Sequence, residues 1–316
     1  MNANKYSPKT HERGIALITV MLVLAVVTVA LVSMSSERQM DTRRTENQLR
    51  STQTWEHLHG LEAWAKNQLR ADLVENKNDT DTDLWNKPLS STNSPEGTND
   101  GQITDLQGKI NLNNLIVDAK TSDKDVLILK RLLINLNIKP ELVDAILDWI
   151  DTDMDIRYPN GAEDETYSRK SPPYRSANTL FSDISELLLV QGITEKDYKK
   201  LLPYVYVANG HELLNVNTAS AFVLRCHADN ITKNQAESIF RAHGKPFIKV
   251  EDFLKDEAMS GIHIDKTSLS VDSNHFLLSG HINIGKNSFV FQSQLMRSKE
   301  GIVTVVMRSR RGSSDG

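Results

Sequence analysis

His11-Glu12-Arg13-Gly14-Ile15-Ala16-Leu17-Ile18-Thr19-Val20-Met21-Leu22-Val23-Leu24-Ala25-Val26-Val27-Thr28-Val29-Ala30-Leu31-Val32-Ser33-Met34 is the stretch that decides the fold. From Ile15 to Met34 no charge interrupts the run, and only Thr19, Thr28 and Ser33 are polar. At ~1.5 Å per residue such a helix covers a hydrocarbon core of ~30 Å. Beyond it, no proline occurs between Glu37 and Val74, and Gly60 is the only glycine. Trp55, Leu58, Leu61, Ala65, Leu69 and Leu73 recur at steps of three and four, which is one apolar helix face. Residues 37–50 are polar all round. The pattern predicts a single helix from Ile15 to about Val74, ~90 Å long. It is anchored first, solvated in the middle and packed on a globular domain at its end.

The leader decides what happens to that helix. A secretory signal peptide is cut after its apolar run, at a small-residue site. Here the obvious processing point, Gly14, precedes the run. The pattern resembles a type IV prepilin leader, which implies a peptidase cut between Gly14 and Ile15 and a mature chain that keeps its apolar segment. A plain signal anchor is the alternative. Lys5, Lys9 and Arg13 place the leader in the cytoplasm, although Arg38, Arg43 and Arg44 beyond the span weaken that bias. One position departs from the pilin pattern. The fifth mature residue is commonly glutamate, which in that family neutralises the terminal ammonium of a neighbouring subunit; here it is Thr19. A subunit without that carboxylate pairs poorly below a neighbour but can stand first in a filament. Threonine is otherwise tolerated, because its hydroxyl can bond within its own helix.

The chain has 316 residues, enough for two or three domains, and a net charge of -4, which points neither to nor away from nucleic acid. The mean hydropathy of -0.40 suits a mostly soluble protein with one anchor. Cys226 is the only cysteine, so no intrachain disulfide can form, and it is expected to be a small buried residue. Residues 76–101 are rich in Asn, Asp, Thr, Ser, Pro and Gly and are expected to be a loop. Short strands are expected at 102–104 and 109–112. A helical block follows: 124–137, a helix opened by Pro140, 185–190, 194–201, 221–228, a helix opened by the Thr232-x-x-Gln235 capping box and closed by Gly244, and 250–253. Three β-rich runs, 275–284, 288–297 and 302–308, then form an antiparallel meander, and the tail from Ser309 is expected to be disordered. If early and late strands share one sheet, the helical block is an insertion whose ends lie close together.

The strongest chemical signal is Asp148, Asp151, Asp153, Asp155, Glu163, Asp164 and Glu165: seven carboxylates within eighteen residues, with Arg157 the only base. Ionised carboxylates so close repel unless solvated or bridged by a cation. An oxygen-only set suits a hard ion such as Ca²⁺. An EF-hand is excluded, since Ile156 and Ala162 stand where glycine and the bidentate glutamate are required. A solvated acidic loop and a catalytic carboxylate pair remain as alternatives. Gly280–Asn287 imitates a phosphate-binding loop but lacks its Ser/Thr and leads into a strand, so it is a hairpin turn. Residues 214–243 resemble a helix-hairpin-helix module, but the hairpin carries Asp229 and no glycine pair, which argues against gripping DNA phosphate. The HExxH, GxSxG and cysteine-rich metal patterns are absent from the sequence.

Taken together, Arg13-Gly14-Ile15-Ala-Leu, Asp105-Leu-Gln-Gly108-Lys-Ile-Asn111-Leu-Asn113, Asp148-Trp-Ile-Asp151-Thr-Asp153, Gly161-Ala-Glu163-Asp164-x-x-Tyr167, Pro172-Pro173-Tyr174-Arg175-x-Ala177-Asn178, Ser185-Glu186-Leu, Leu202-Pro203-Tyr204-Val205 and Asn215-Val-Asn217-Thr218-Ala219 resemble the K-type minor pseudopilins of bacterial type II secretion systems. The resemblance runs over nearly the whole chain. It implies an α+β, type IV pilin-like fold: a long N-terminal helix on an antiparallel sheet, with a large inserted all-α domain. The expected division is leader 1–14, transmembrane helix 15–34, periplasmic helix 35–75, loop and first pilin strands 76–112, inserted domain 113–272, C-terminal strands 273–308 and tail 309–316. It implies one or two Ca²⁺ ions held among Asp151, Asp153, Glu163 and Asp164, with Asp148 and Asp155 as further candidates. It implies a non-enzymatic, single-pass inner-membrane subunit with its bulk in the periplasm. At the pseudopilus tip it would initiate assembly for export of folded proteins. The expected partners are other minor pseudopilins, the major pseudopilin, the inner-membrane secretion platform and the prepilin peptidase, with no nucleic acid. The alternatives are a membrane-anchored DNA-binding protein of an uptake machine and an anchored hydrolase.

Overall fold

The computed structural model describes residues 10–94, 97–228, 231–241, 245–285 and 287–311. Most of the leader, Asp229 of the hairpin, the Gly244 helix stop and the end of the tail lie outside them. Helix α1 spans Thr10–Glu75, and the chain divides into two compact units, residues 1–58 and 59–316. In the first unit every residue from Ile15 to Met34 is exposed. The segment from Ile15 on is long and apolar enough to cross a membrane. Both threonines within the apolar run are satisfied internally: the Thr19 hydroxyl donates to the Ala16 carbonyl (2.9 Å), and that of Thr28 to Ala25 (2.8 Å).

In the second unit the end of α1 lies on an antiparallel sheet. That sheet is built from β1 (Leu89–Ser94), β2 (Gly97–Asp105) and, far along the chain, the strands His275–Ile284, Asn287–Arg297 and Val303–Arg311, hydrogen-bonded in that order. The alternation of strand side chains does the packing. Phe276, Leu278 and Ile282 are buried, as is Ile103 on β2. Leu61, Ala65 and Leu69 supply the buried stripe of α1, and Trp85 meets Phe276 edge-on at 5.3 Å. Two sets of ion pairs pin helix to sheet, one half-exposed at Arg308 and one buried at Arg297. Arg308 grips Glu62 through Nε (2.7 Å) and Nη2 (2.9 Å), and Ser293 Oγ donates to the same carboxylate at 2.8 Å. Arg297 reaches Asp79 (2.5 Å), Asp72 (3.4 Å) and the Leu69 carbonyl (3.1 Å).

The helical block enters after β2 and leaves before the strand His275–Ile284. Those two strands pair directly, Asp105 opposite Phe276, and the Leu106 N–H donates to the His275 carbonyl at 3.0 Å. The ends of the insertion therefore meet across one ladder rung. Within it come β3 (Ile110–Asn111), β4 (Ile116–Val117), β5 (Lys120–Thr121), α2 (Asp123–Asn135), α3 (Leu142–Ile150), α4 (Asp164–Ser168), α5 (Glu195–Leu201), β6 (Val205–Tyr206), β7 (Leu214–Asn215), α6 (Ala221–His227), α7 (Lys233–Arg241), α8 (Val250–Leu254) and β8 (Leu269–Ser270). These surround one apolar core that includes Leu129, Leu132, Val143, Ile146, Leu187, Val216 and Leu224, and it takes in the thiol of Cys226. The Thr232–Gln235 capping box forms as expected from its sequence, with Gln235 N donating to Thr232 Oγ1 at 3.2 Å.

Three expectations need correction. Residues 76–101 are not a plain loop: they hold a 3₁₀ turn at Leu84–Asn86, β1 and the start of β2. Polar composition misled here because the ladder, not an apolar face, recruits these residues; on β2 only Gly101, Ile103 and Asp105 are buried. The strand expected at 109–112 does not join the pilin sheet. Ile110 and Asn111 pair in parallel with Val205 and Tyr206 inside the insertion, which thus opens at Leu106 rather than at residue 113. The tail does not begin at Ser309, since the last strand runs to Arg311 through its pairing with Val290.

Candidate metal centre

Helix α3 carries the site. Its apolar face is buried almost completely, from Val143 to Ile150, so its C-terminal end is fixed in the core. Asp151 is the C-cap, and Asp153 follows on the loop. A helix C-terminus is itself partly negative, so carboxylates there are unfavourable without a positive charge nearby. The chain then loops back, and Glu163, the N-cap of α4, returns to the same point. One oxygen from each of Asp151, Asp153 and Glu163 lies within 4.8 Å of the other two.

The loop closes on Asp148, which is wholly buried. Its Oδ2 accepts the Arg157 N–H at 3.1 Å, and the Gly161 N–H donates to the Arg157 carbonyl at 2.7 Å. A Cβ at Gly161 would stand 2.2 Å from Asp148 Oδ2, so only glycine lets the loop fold this tightly. Arg157 turns its guanidinium back on the cluster: Nη2 is 2.8 Å from Asp151 Oδ2, and Nε is 3.3 Å from Asp148 Oδ1. On the other side the segment after Pro173 closes the site. Ser176 Oγ lies 3.0 Å from Glu163 Oε2 and 2.9 Å from Asp164 Oδ1, its one hydroxyl hydrogen shared between them, and the Asn178 N–H donates to the Trp149 carbonyl (3.0 Å).

After all these bonds, Asp151 Oδ1 and Glu163 Oε1 remain buried with no hydrogen-bond partner. The two residues are 7% and 3% exposed. Orphaned buried carboxylate oxygens are costly. Burial pushes the Glu163 carboxyl up to about 7, reinforced by the charges of Asp148, Asp151 and Asp153. Burial likewise pushes Asp148 up to about 6 and raises Asp151 against the pull of Arg157. These are carboxylates short of positive charge. An all-oxygen set with two free buried oxygens and one exposed carboxylate, Asp153, fits a hard divalent cation that keeps some water.

Of the six candidate ligands, the fold brings Asp151, Asp153 and Glu163 together. Asp148 lies beneath them as the organiser of the loop. Asp164 faces Ser176 and Arg175 (3.8 Å), and Asp155 is exposed, its N–H bonded to Asp153 Oδ1 at 2.9 Å. Gly14 and Ile15 both lie in α1. Sequence reading passed over Ser176, which occupies the unassigned position of the Pro172–Asn178 motif, and Thr121, whose hydroxyl accepts from Arg157 Nη2 at 3.1 Å. A second acidic group, Asp72, Asp79 and Asp83, is as compact but differs in kind. Arg297 supplies its positive charge, and Asp83 is taken up by Thr80 N (2.7 Å) and Oγ1 (2.9 Å). The two look-alike motifs are structural. Gly285 has φ +62 between two paired strands, and α6 and α7 bury Leu224, Ala236 and Ile239 in the insertion core.

A long helix leading with an apolar span, laid at its far end on an antiparallel sheet that a helical block interrupts, defines a pilin-like α+β subunit. The family model for the type II secretion system (T2SS), protein K, matches residues 108–210 and 214–272. Type II secretion system protein K of Pseudomonas aeruginosa is 35% identical over 94% of this chain and 92% of its own length. The Klebsiella pneumoniae protein K is 29% identical over 96% and 97% respectively. A chain in the crystal structure of the GspK-GspI-GspJ complex from the enterotoxigenic Escherichia coli system superposes with a TM-score of 0.77 at 24% identity, covering 85% of this chain and all of that one. The chain belongs to the type II secretion system protein K family.

Proposed function

We propose that this chain is the tip subunit of a type II secretion pseudopilus, which initiates assembly with other minor pseudopilins for export of folded proteins. Residues 15–34 anchor it in the inner membrane after the prepilin peptidase cuts between Gly14 and Ile15, and the remainder stands in the periplasm. The major pseudopilin and the inner-membrane secretion platform are its further partners. The role is non-catalytic. The observation that carries this reading is Thr19, whose hydroxyl is spent on its own helix at Ala16 and which offers no carboxylate to a neighbour. The assembly described for the structural relative, a complex of GspK, GspI and GspJ, supports minor pseudopilin partners. The relatives compared are secretion proteins, which favours secretion over DNA uptake.

Calcium would be held by Asp151, Asp153 and Glu163, with Asp148 and Ser176 positioning them. The ion supplies positive charge that ties the end of α3 to the start of α4. The test of the tip reading is Thr19→Glu. Insertion of the carboxylate should let the subunit pair below a neighbour, so cross-linking should find it along the filament and secretion should drop. Unchanged secretion with unchanged tip cross-links contradicts the role assigned to this position.

A further inference from the structure

Arg157 is the only base in the acidic run, and it is fixed at both ends. Its backbone N–H is held by Asp148 and its carbonyl by Gly161. Its guanidinium touches Asp151, Asp148 and Thr121. It takes Oδ2 of Asp151 and leaves Oδ1 buried and unpartnered, in a carboxylate that also lies within 4.8 Å, by one of its oxygens, of Asp153 and Glu163. The guanidinium and a bound cation would therefore share one carboxylate.

From this geometry we infer that Arg157 is the resident counter-ion of the site: it holds the acidic loop folded before calcium arrives and, as a fixed positive charge on Asp151, limits how tightly calcium is then held. The inference rests on the calcium reading above. Without the ion, Asp148 and Asp151 have no other cation in contact among the described residues, so the loop depends on Arg157. With the ion, two positive charges flank one carboxylate, and at that separation their repulsion is not negligible. A residue that merely oriented Asp151 would have the opposite signature, because its loss would weaken binding.

The experiment is calorimetric titration of calcium chloride into the chelator-treated full chain in detergent, alongside thermal melts with and without calcium. Arg157→Gln should melt earlier than the parent without calcium, recover most of the loss with calcium, and bind calcium about threefold or more tightly. Arg157→Lys, which keeps the charge without the fork, should stay within about twofold of the parent affinity. Weaker or unchanged binding in the Gln variant overturns the inference. Should that variant not fold, clearly weaker binding in the Lys variant overturns it equally, since that would make orientation the role. If the parent itself takes up no calcium, the metal reading fails and the inference falls with it.

Discussion

At the scale of single residues, Glu163 and Asp151 each present an oxygen that the protein leaves without a partner in a buried place. Glu163→Gln removes a charge from the ligand set and should weaken calcium binding by about tenfold or more, while the calcium-free protein melts no earlier than the parent. Titration calorimetry and a melt measure both. The raised carboxyls also set a pH dependence. Glu163 moves from an ordinary 4.5 to about 7, and Asp148 from 3.8 to about 6. Across that interval the folded protein binds more protons than the unfolded chain, so stability falls as pH rises. Calcium-free protein should therefore lose melting temperature between about pH 4 and pH 7, the loss being complete once pH passes the folded values. Saturating calcium, which binds the ionised carboxylates, should flatten or reverse the trend. A melting temperature that rises over the same interval without calcium contradicts this electrostatic account. Much of the site was legible in the sequence, because alternating aspartates after an amphipathic helix must gather near its end. Ser176 was not, since a lone serine carries no signal until a loop thirteen residues away from Glu163 folds back on it.

At the scale of elements, the five-stranded sheet and the insertion share a polar hinge. Asp105 accepts from Ser273 Oγ (2.7 Å) and Asn215 Nδ2 (3.2 Å), and Gln107 reaches the Leu213 carbonyl (3.0 Å) and His275 N (3.1 Å). The Asp105–Asn113 and Asn215–Ala219 motifs quoted from the sequence are this junction, buried and hydrogen-bonded rather than exposed for binding. Arg297 does the same for α1 and the sheet. Arg297→Met would leave Asp72 and Asp79 buried without their cation, and burial already pushes Asp79 up to about 7. A loss of about 3–5 kcal/mol is expected, read from chemical denaturation; a loss below about 1 kcal/mol would mean that the pair contributes little. The late strands follow the period-two alternation of residues such as Phe276, Leu278 and Ile282, so they could be read directly. The early strands could not, because both are polar: β1 is an edge strand held by its pairing with β2, and β2 is ordered by pairing with a partner some 180 residues on.

At the scale of the whole molecule, one helix carries both a naked apolar span and, past His59, the docking face for the sheet. Under the processing proposed above, the span is kept when the leader is removed. The helix was plain from the sequence because twenty uncharged residues and a proline-free continuation leave no other reading. The proposed cleavage site rests on Gly14 alone. Intact-mass and N-terminal peptide spectrometry of protein extracted from inner membranes tests the account most directly. The expected result is a chain that lacks residues 1–14 and begins at a methylated Ile15. A chain that begins beyond Met34, or that still carries its leader in an assembled secretion system, would contradict it.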